Sequence, residues 1–232
     1  MFWTFVEASQ ISGGSLVING KQGHHLARVL RVRSGERGVA VCGGREYELE
    51  VVDIQGARVV GRVLAERPTR GEAPIPVTLL QAVLPNPDFD RVIEGGTAVG
   101  IRAFLAVQAA RSIGRPPASR QARWQAIAQS AAEQSHRGEI PGVSGPMALA
   151  AALDQAAGPR LLVLDPAASL PLPGAVDGSP AYTIAVGPEG GWTEGELAML
   201  HDRGALAVSL GPRILRARLA AIVAAAILVQ HR

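Results

Sequence analysis

The rhythm of apolar and polar positions changes near residue 70. Before that point, short apolar runs recur at roughly ten-residue spacing between turn residues: Ser15–Asn19, Gly38–Cys42, Tyr47–Val52 and Arg58–Leu64. This pattern predicts a small all-β barrel. One stretch departs from it. His24-His-Leu-Ala-Arg-Val-Leu-Arg31 has helical spacing, which puts His24 one turn before Arg28 and brings Arg28 near Arg31. The segment Pro68–Pro76 carries three prolines and a glycine, a composition that predicts a boundary between domains spanning residues 1–70 and 74–232. Beyond it, strand-like runs (Val77–Leu84, Ala103–Gln108, Arg160–Asp165, Tyr182–Gly187, Ala207–Gly211) alternate with helix-like ones (Phe89–Val99, Ser119–Gly138). Such alternation predicts an α/β domain with a mostly parallel sheet, and a ligand site at the carboxyl ends of its strands. The run Leu219–Val229 is entirely apolar. It is too short for a bilayer and predicts a buried helix.

Composition narrows the class. With 232 residues, 47% hydrophobic and 19% charged, the chain is long enough for two cores and too apolar to be disordered. The net charge of +3 is carried almost wholly by arginine, since Lys21 is the only lysine. Arg28, Arg31, Arg33 and Arg37 form the densest basic cluster, a candidate phosphate-contacting surface with His25. A single cysteine, Cys42, excludes an internal disulfide framework and a cysteine zinc site. Adjacent His24 and His25 cannot share a helix face, so no metal site is expected. No basic region followed by an apolar stretch opens the chain, which predicts a cytoplasmic protein with no membrane partner.

Two glycine-bearing turns hold the candidate chemistry. Ala185-Val-Gly-Pro-Glu-Gly-Gly191 and Ser209-Leu-Gly-Pro-Arg-Ile-Leu-Arg216 each close a strand-like run and open a helix-like one. Glycine at such points lets backbone lie directly against a flat ligand. Thr193 and Glu196 have capping-box spacing, and Trp192 and Leu197 have staple spacing, so the helix after the first turn is specified locally. There is no Gly-x-x-x-x-Gly-Lys-Ser/Thr loop and no Gly-x-Gly-x-x-Gly between a strand and a helix, which excludes the common nucleotide-binding signatures.

These two turns resemble the hallmark loops of the SPOUT class of S-adenosylmethionine-dependent RNA methyltransferases. More narrowly, the chain is similar to the 16S ribosomal RNA uridine-N3 methyltransferase (RsmE) family. The likeness includes His24-His-Leu-x-Arg-Val-Leu-Arg31, Gln81-Ala-Val-Leu-Pro85, Thr97, Gly100-Ile101, Arg111-Ser112, Glu133-Gln-Ser135 with Arg137, Ile140-Pro141 and Leu164-Asp-Pro166, in that order. The resemblance implies a SPOUT α/β domain with a trefoil knot, preceded by a small PUA-like β-barrel that binds RNA. It also implies a homodimer acting on 16S ribosomal RNA in the small subunit. The cofactor would be held by Leu164, Gly187, Pro188, Glu189, Gly190, Gly191, Leu210, Gly211, Ile214 and Leu215. Arg111 and Arg216 would be catalytic, stabilising the uracil as its N3 proton leaves, and His25, Arg28, Arg31, Gln134 and Arg137 would face RNA. The chain departs from the family at Ala217-Arg-Leu219, where Thr-Glu-Thr is usual, and at Gly95 and Ala98, where Lys and Glu are usual. Asn86-Pro-Asp-Phe-Asp90 replaces a lysine-bearing loop. Two readings stay open on these residues: an active N3-uridine methyltransferase, or a paralogue that binds cofactor or RNA without this chemistry or modifies another RNA.

Overall fold

The structure is a computed structural model describing residues 1–156, 158 and 160–230. Packing divides it into one unit of residues 1–72 with 133–139, and another of residues 73–132 with 140–232.

The first unit is a six-stranded sheet. Its strands are β1 (Phe2–Phe5), β2 (Ile11–Ser12), β3 (Ser15–Ile18), β4 (Arg37–Cys42), β5 (Arg45–Gln55) and β6 (Arg58–Pro68), in the order β1-β4-β5-β6-β3-β2. All neighbours are antiparallel except β1 and β4. Register shifts at Glu48/Leu49 and Val51/Asp53 bend β5, as bulges do, and let both halves of the sheet share one core of Phe2, Leu16, Ile18, Leu26, Leu49 and Val59. The expected helical stretch is present as α1 (Gly20–His24), running into a wider π-helical turn over His25–Leu30. Arg31 ends it in the left-handed region at φ 55°.

The second unit alternates strands and helices: β7 (Val77–Ala82), α2 (Asp88–Val99), β8 (Ala103–Val107), α3 (Arg120–Gln134), β9 (Gly142–Met147), α4 (Leu149–Gln155), β10 (Arg160–Leu164), β11 (Tyr182–Val186), α5 (Glu194–Asp202), β12 (Leu206–Val208) and α6 (Ala217–Gln230). The sheet order is β12-β10-β11-β7-β8-β9 and every pairing is parallel. Central β7 is buried at all six positions, as expected of a parallel strand covered on both faces. The chain runs outward from β7 in one direction through β8 and β9, then returns to build the other side. A switch point therefore falls between β7 and β11, where open α/β sheets place ligands.

Two elements differ from expectation. The helix expected to reach Gly138 ends at Gln134, and His136 adopts φ 57° beyond it. Helix α6 is not buried all round. Ala221, Ala224, Ala225, Leu228 and Val229 face the core, while Leu219 is 47% exposed and Ile222, Val223 and Ile227 are half-buried. No helix among the described residues is long and apolar enough to cross a membrane.

Candidate active site

A cavity of about 390 Å³ opens where the carboxyl ends of β10 and β11 meet the turn after β12 and the first turns of α6. That volume is within the usual range of small-molecule sites, roughly 300–1,000 Å³. Leu164, Asp165 and Pro166 line it from the end of β10, and Gly187, Pro188, Glu189, Gly191 and Trp192 from the end of β11. Ile214, Leu215 and Arg216 close it with Ala217 and Ala220 of α6. Seven of the ten expected cofactor residues thus share one cavity. The other three lie beside it. Gly190 offers its carbonyl to Arg111, Leu210 packs against the main core, and Gly211 sits at the preceding bend with φ +91°.

The turn after β11 is held at many points. Thr193 caps α5, accepting from the Glu196 amide, and Glu196 answers through the Thr193 amide at 2.8 Å. The other Glu196 oxygen accepts the Ala110 amide at 2.8 Å, which ties the turn to the loop after β8. From that loop Arg111 donates to the carbonyls of Gly190 (2.9 Å) and Trp192 (3.3 Å). Trp192 is buried, and its indole leaves little room beside Gly187, where a Cβ would lie 3.2 Å from Nε1. Gly191 occupies φ +70°, which L side chains rarely adopt. Trp192 lines the cavity, yet its Nε1 has no acceptor among the described residues. A buried donor in that state costs about 1–3 kcal/mol and is a ready partner for a ligand acceptor.

The turn after β12 is held differently. Ser209 is pinned by its amide and carbonyl to Leu170 and Leu172, but residues 211–214 are exposed, Ile214 to 80%. The Arg216 carbonyl accepts from the Leu219 and Ala220 amides and so begins α6. Its exposed side chain has no partner among the described residues and stands at the cavity wall as a free guanidinium. The cavity therefore offers apolar walls, carboxylates at Asp165 and Glu189, one cation and an unpaired indole N–H.

The residues expected to face RNA divide into two groups. His25, Arg28 and Arg31 are exposed around the π-helical turn, and neither arginine is ion-paired among the described residues. The sheet arginines of the same unit are neutralised across strands: Arg37 with Glu48, Arg62 with Glu50, Arg67 with Glu46 and Arg45 with Glu66. Gln134 is exposed at the end of α3. Arg137 is a correction. It is only 2% exposed, and its guanidinium is committed to Glu72 at 2.5 Å, so it is not offered to a nucleic acid. Burial alone would push the Glu72 carboxyl up. The Arg137 hydrogen bond and charge, with the Gly138 and Glu139 amides, outweigh burial and hold it below the usual range. Trp3 stacks on His136 at 4.7 Å and donates to the Arg137 carbonyl, fixing the same segment.

The departures at 86–98 and 217–219 acquire physical reasons. Arg218 pairs with Asp88 at 2.8 Å, so the basic residue on α6 is matched by an acidic one at the start of α2. Gly95 lies under α6, where a Cβ would come within 2.7 Å of Ile222 Cδ1. Nothing in the structure explains Ala98, which is exposed. Sequence reasoning did not nominate Asp165, Trp192, Ala217 or Ala220 as lining residues. Trp192 was visible only as a helix staple, although its position next to the glycines was itself a signal.

Comparison with known proteins agrees with this architecture. The RNA methyltransferase domain family matches residues 71–229, and the RNA methyltransferase PUA domain matches residues 18–64. The chain is 38% identical over 233 residues to the ribosomal RNA small subunit methyltransferase E of Mycobacterium bovis, covering 95% of this chain and 88% of that protein. It is 34% identical over 228 residues to the protein of the same name from Synechocystis sp., covering 95% and 75%. The crystal structure of a ribosomal RNA small subunit methyltransferase E from Neisseria gonorrhoeae bound to S-adenosyl methionine superposes with a TM-score of 0.89 at 31% identity, covering 97% of this chain and 95% of that one.

Proposed function

The chain belongs to the ribosomal RNA small subunit methyltransferase E family and is an S-adenosylmethionine-dependent ribosomal RNA methyltransferase; from that premise we propose that it methylates N3 of a uridine in 16S ribosomal RNA, using the cavity between its two glycine turns. The observation that carries the reading is the cavity itself. It has the size for a nucleoside-bearing cofactor, and its buried Trp192 Nε1 awaits an acceptor. Glycine at 191 leaves backbone free to approach a flat base, while Asp165 and Glu189 suit a positively charged sulfonium and ammonium.

When bound, the cofactor supplies an electrophilic methyl group on a sulfonium. The residues around it position and polarise. Arg216, free at the cavity wall, is placed to stabilise the negative charge that spreads over the uracil carbonyl oxygens as the N3 proton is lost. Arg111 spends one terminal nitrogen on the Gly190 and Trp192 carbonyls and keeps the rest of its guanidinium for the same anion. The Arg218–Asp88 pair answers the charge reversal in place. Arg28, Arg31 and His25 dock the PUA-like unit on RNA phosphates. The proposal retains the trefoil knot of the SPOUT class, a cytoplasmic location, and a homodimer in which a second copy covers Leu219, Ile222, Val223 and Ile227 of α6.

The test is methyl transfer. Protein, cofactor labelled in its methyl group and small subunits lacking the modification are incubated, and the RNA is digested to nucleosides. Label recovered as N3-methyluridine is the expected result. Label in another nucleoside, or none while the cofactor is bound, overturns the assignment.

A further inference from the structure

A second cavity, of about 260 Å³, lies in the same unit beside the turn that joins β7 to α2 and the loop 113–117. We propose that it is a nucleotide subsite, which takes one unpaired nucleotide of the RNA strand next to the one that is methylated. The proposal rests on the RNA methyltransferase reading above.

The walls combine two chemistries. Pro85, Pro116 and Pro117 give apolar surface, and Phe89 and Trp124, in ring contact at 4.5 Å, are buried in the wall. Single-stranded RNA is recognised mainly by stacking of splayed bases on aromatic rings or Arg guanidinium planes, and here the guanidinium planes are the open ones. Arg115 and Arg120 also line the cavity, and neither side chain has a hydrogen-bond or ion-pair partner among the described residues. The amide of Asn86 is likewise uncommitted at the rim. Trp124 is 2% exposed, and its Nε1 has no acceptor among the described residues. An indole nitrogen can only donate, so a buried one beside a cavity calls for an incoming acceptor such as a base carbonyl. The nearest carboxylates do not compete for an anion, because Asp88 is paired with Arg218 and Asp90 with Arg123. A nucleotide matches the set: a flat base for the proline surface or a guanidinium plane, a carbonyl for Trp124, and a phosphate for the remaining guanidinium.

Placement links the subsite to the reaction. The loop after β8 carries Arg111, which holds the glycine turn of the first cavity, and continues two residues later into the wall of the second. The subsite also lies at the carboxyl ends of β7 and β8, the same edge of the sheet that bears the first cavity at β10 and β11. A strand bound at one cavity is thus presented to the other by a single loop.

The three tryptophans allow a direct test. Each indole N–H gives one peak in a nitrogen–proton correlation spectrum, and Trp124→Phe assigns the one from this cavity. Uridine 5′-monophosphate is expected to move the Trp124 peak, and S-adenosylmethionine the Trp192 peak. In the Arg115→Ala/Arg120→Ala variant the nucleotide dissociation constant should rise at least about tenfold, while the Trp192 response to cofactor stays, which shows the variant is folded. The same variant should raise KM for small subunits with little change in kcat. The proposal is overturned if the nucleotide leaves the Trp124 peak in place, or if it moves that peak equally well in the double variant. Inorganic phosphate that reproduces the full nucleotide shift would also overturn it, since no base would then be read. A Trp124 response to nucleotide in a protein that transfers no methyl to N3 of uridine would uphold the subsite and defeat the reaction assigned above.

Discussion

The two glycine turns look alike in sequence and are built differently. The one after β11 is braced from three sides: Glu196 gathers the Thr193 and Ala110 amides, Arg111 holds two carbonyls, and Trp192 is sunk into the core. The one after β12 is anchored only at its ends, by Ser209 before it and the first turn of α6 after it, with residues 211–214 in solvent. The difference teaches a division of labour. A preformed wall lowers the entropic cost of binding, and an exposed wall with an apolar Ile214 and the free Arg216 gains its order from what it meets. The braced turn supplies the shape of the site, and the bare one supplies the reacting cation, Arg216.

Removing the cation should give the largest effect and sharpen the contrast. Arg216→Ala is expected to lower the turnover of methyl transfer by about 10²–10³-fold, the loss typical of one anion-stabilising donor. Thermal unfolding of the free protein should not change, because that side chain has no hydrogen-bond or ion-pair partner among the described residues. A variant that melts earlier would show that the second turn is braced after all.

Glu196→Ala attacks the other turn and should have the opposite signature. Loss of the capping box and of the Ala110 tie is expected to cost about 1–2 kcal/mol in urea unfolding. Calorimetry should show cofactor binding roughly tenfold weaker, with turnover at saturating cofactor nearly kept. If affinity is untouched, the brace does not shape the site.

A smaller effect is expected at the charge pair beside the second turn. Arg218→Glu sets like charges together at Asp88 and should destabilise by about 0.5–1 kcal/mol at low salt. The loss should shrink as ionic strength rises and the pair is screened, and unfolding midpoints at two salt concentrations check this.

A control for both turns is the pH response of Glu72. Like Glu196, it is a carboxylate that gathers backbone amides, here those of Gly138 and Glu139, but it lies in the other unit. Its folded pKa is depressed, so its contribution is present above the ordinary glutamate range and is lost as pH falls through the depressed folded value. Unfolding followed across acid pH should therefore lose slope in Glu72→Gln, while cofactor affinity at neutral pH stays unchanged.

Much of this was legible along the chain, for stated reasons. The long apolar runs of β7, β8, β10 and β11 and the switch of rhythm near residue 70 reflect burial, which local composition records directly. Strand β9 (Gly142–Met147) was not legible. It is an edge strand of mixed Gly, Ser and Pro whose pairing with β8, not its composition, makes it a strand. β1 likewise exists through its parallel pairing with β4 far along the chain. At the site, the capping half of Glu196 could be read from its spacing to Thr193, because that interaction is local. Its bond to Ala110, 86 residues away, could not. The burial of Arg137 was hidden for the same reason: Glu72, which draws it inward, is 65 residues distant.

Hydrogen exchange of the backbone amides, with and without S-adenosylmethionine, tests the central claim most directly. In the free protein the amides of residues 193–197 should exchange slowly and those of 211–216 fast. Adding cofactor should protect residues 211–216 strongly, with the turn at 187–191 gaining the rest. Equal exchange of the two turns in the free protein, or cofactor-dependent protection that falls outside both, would contradict the account.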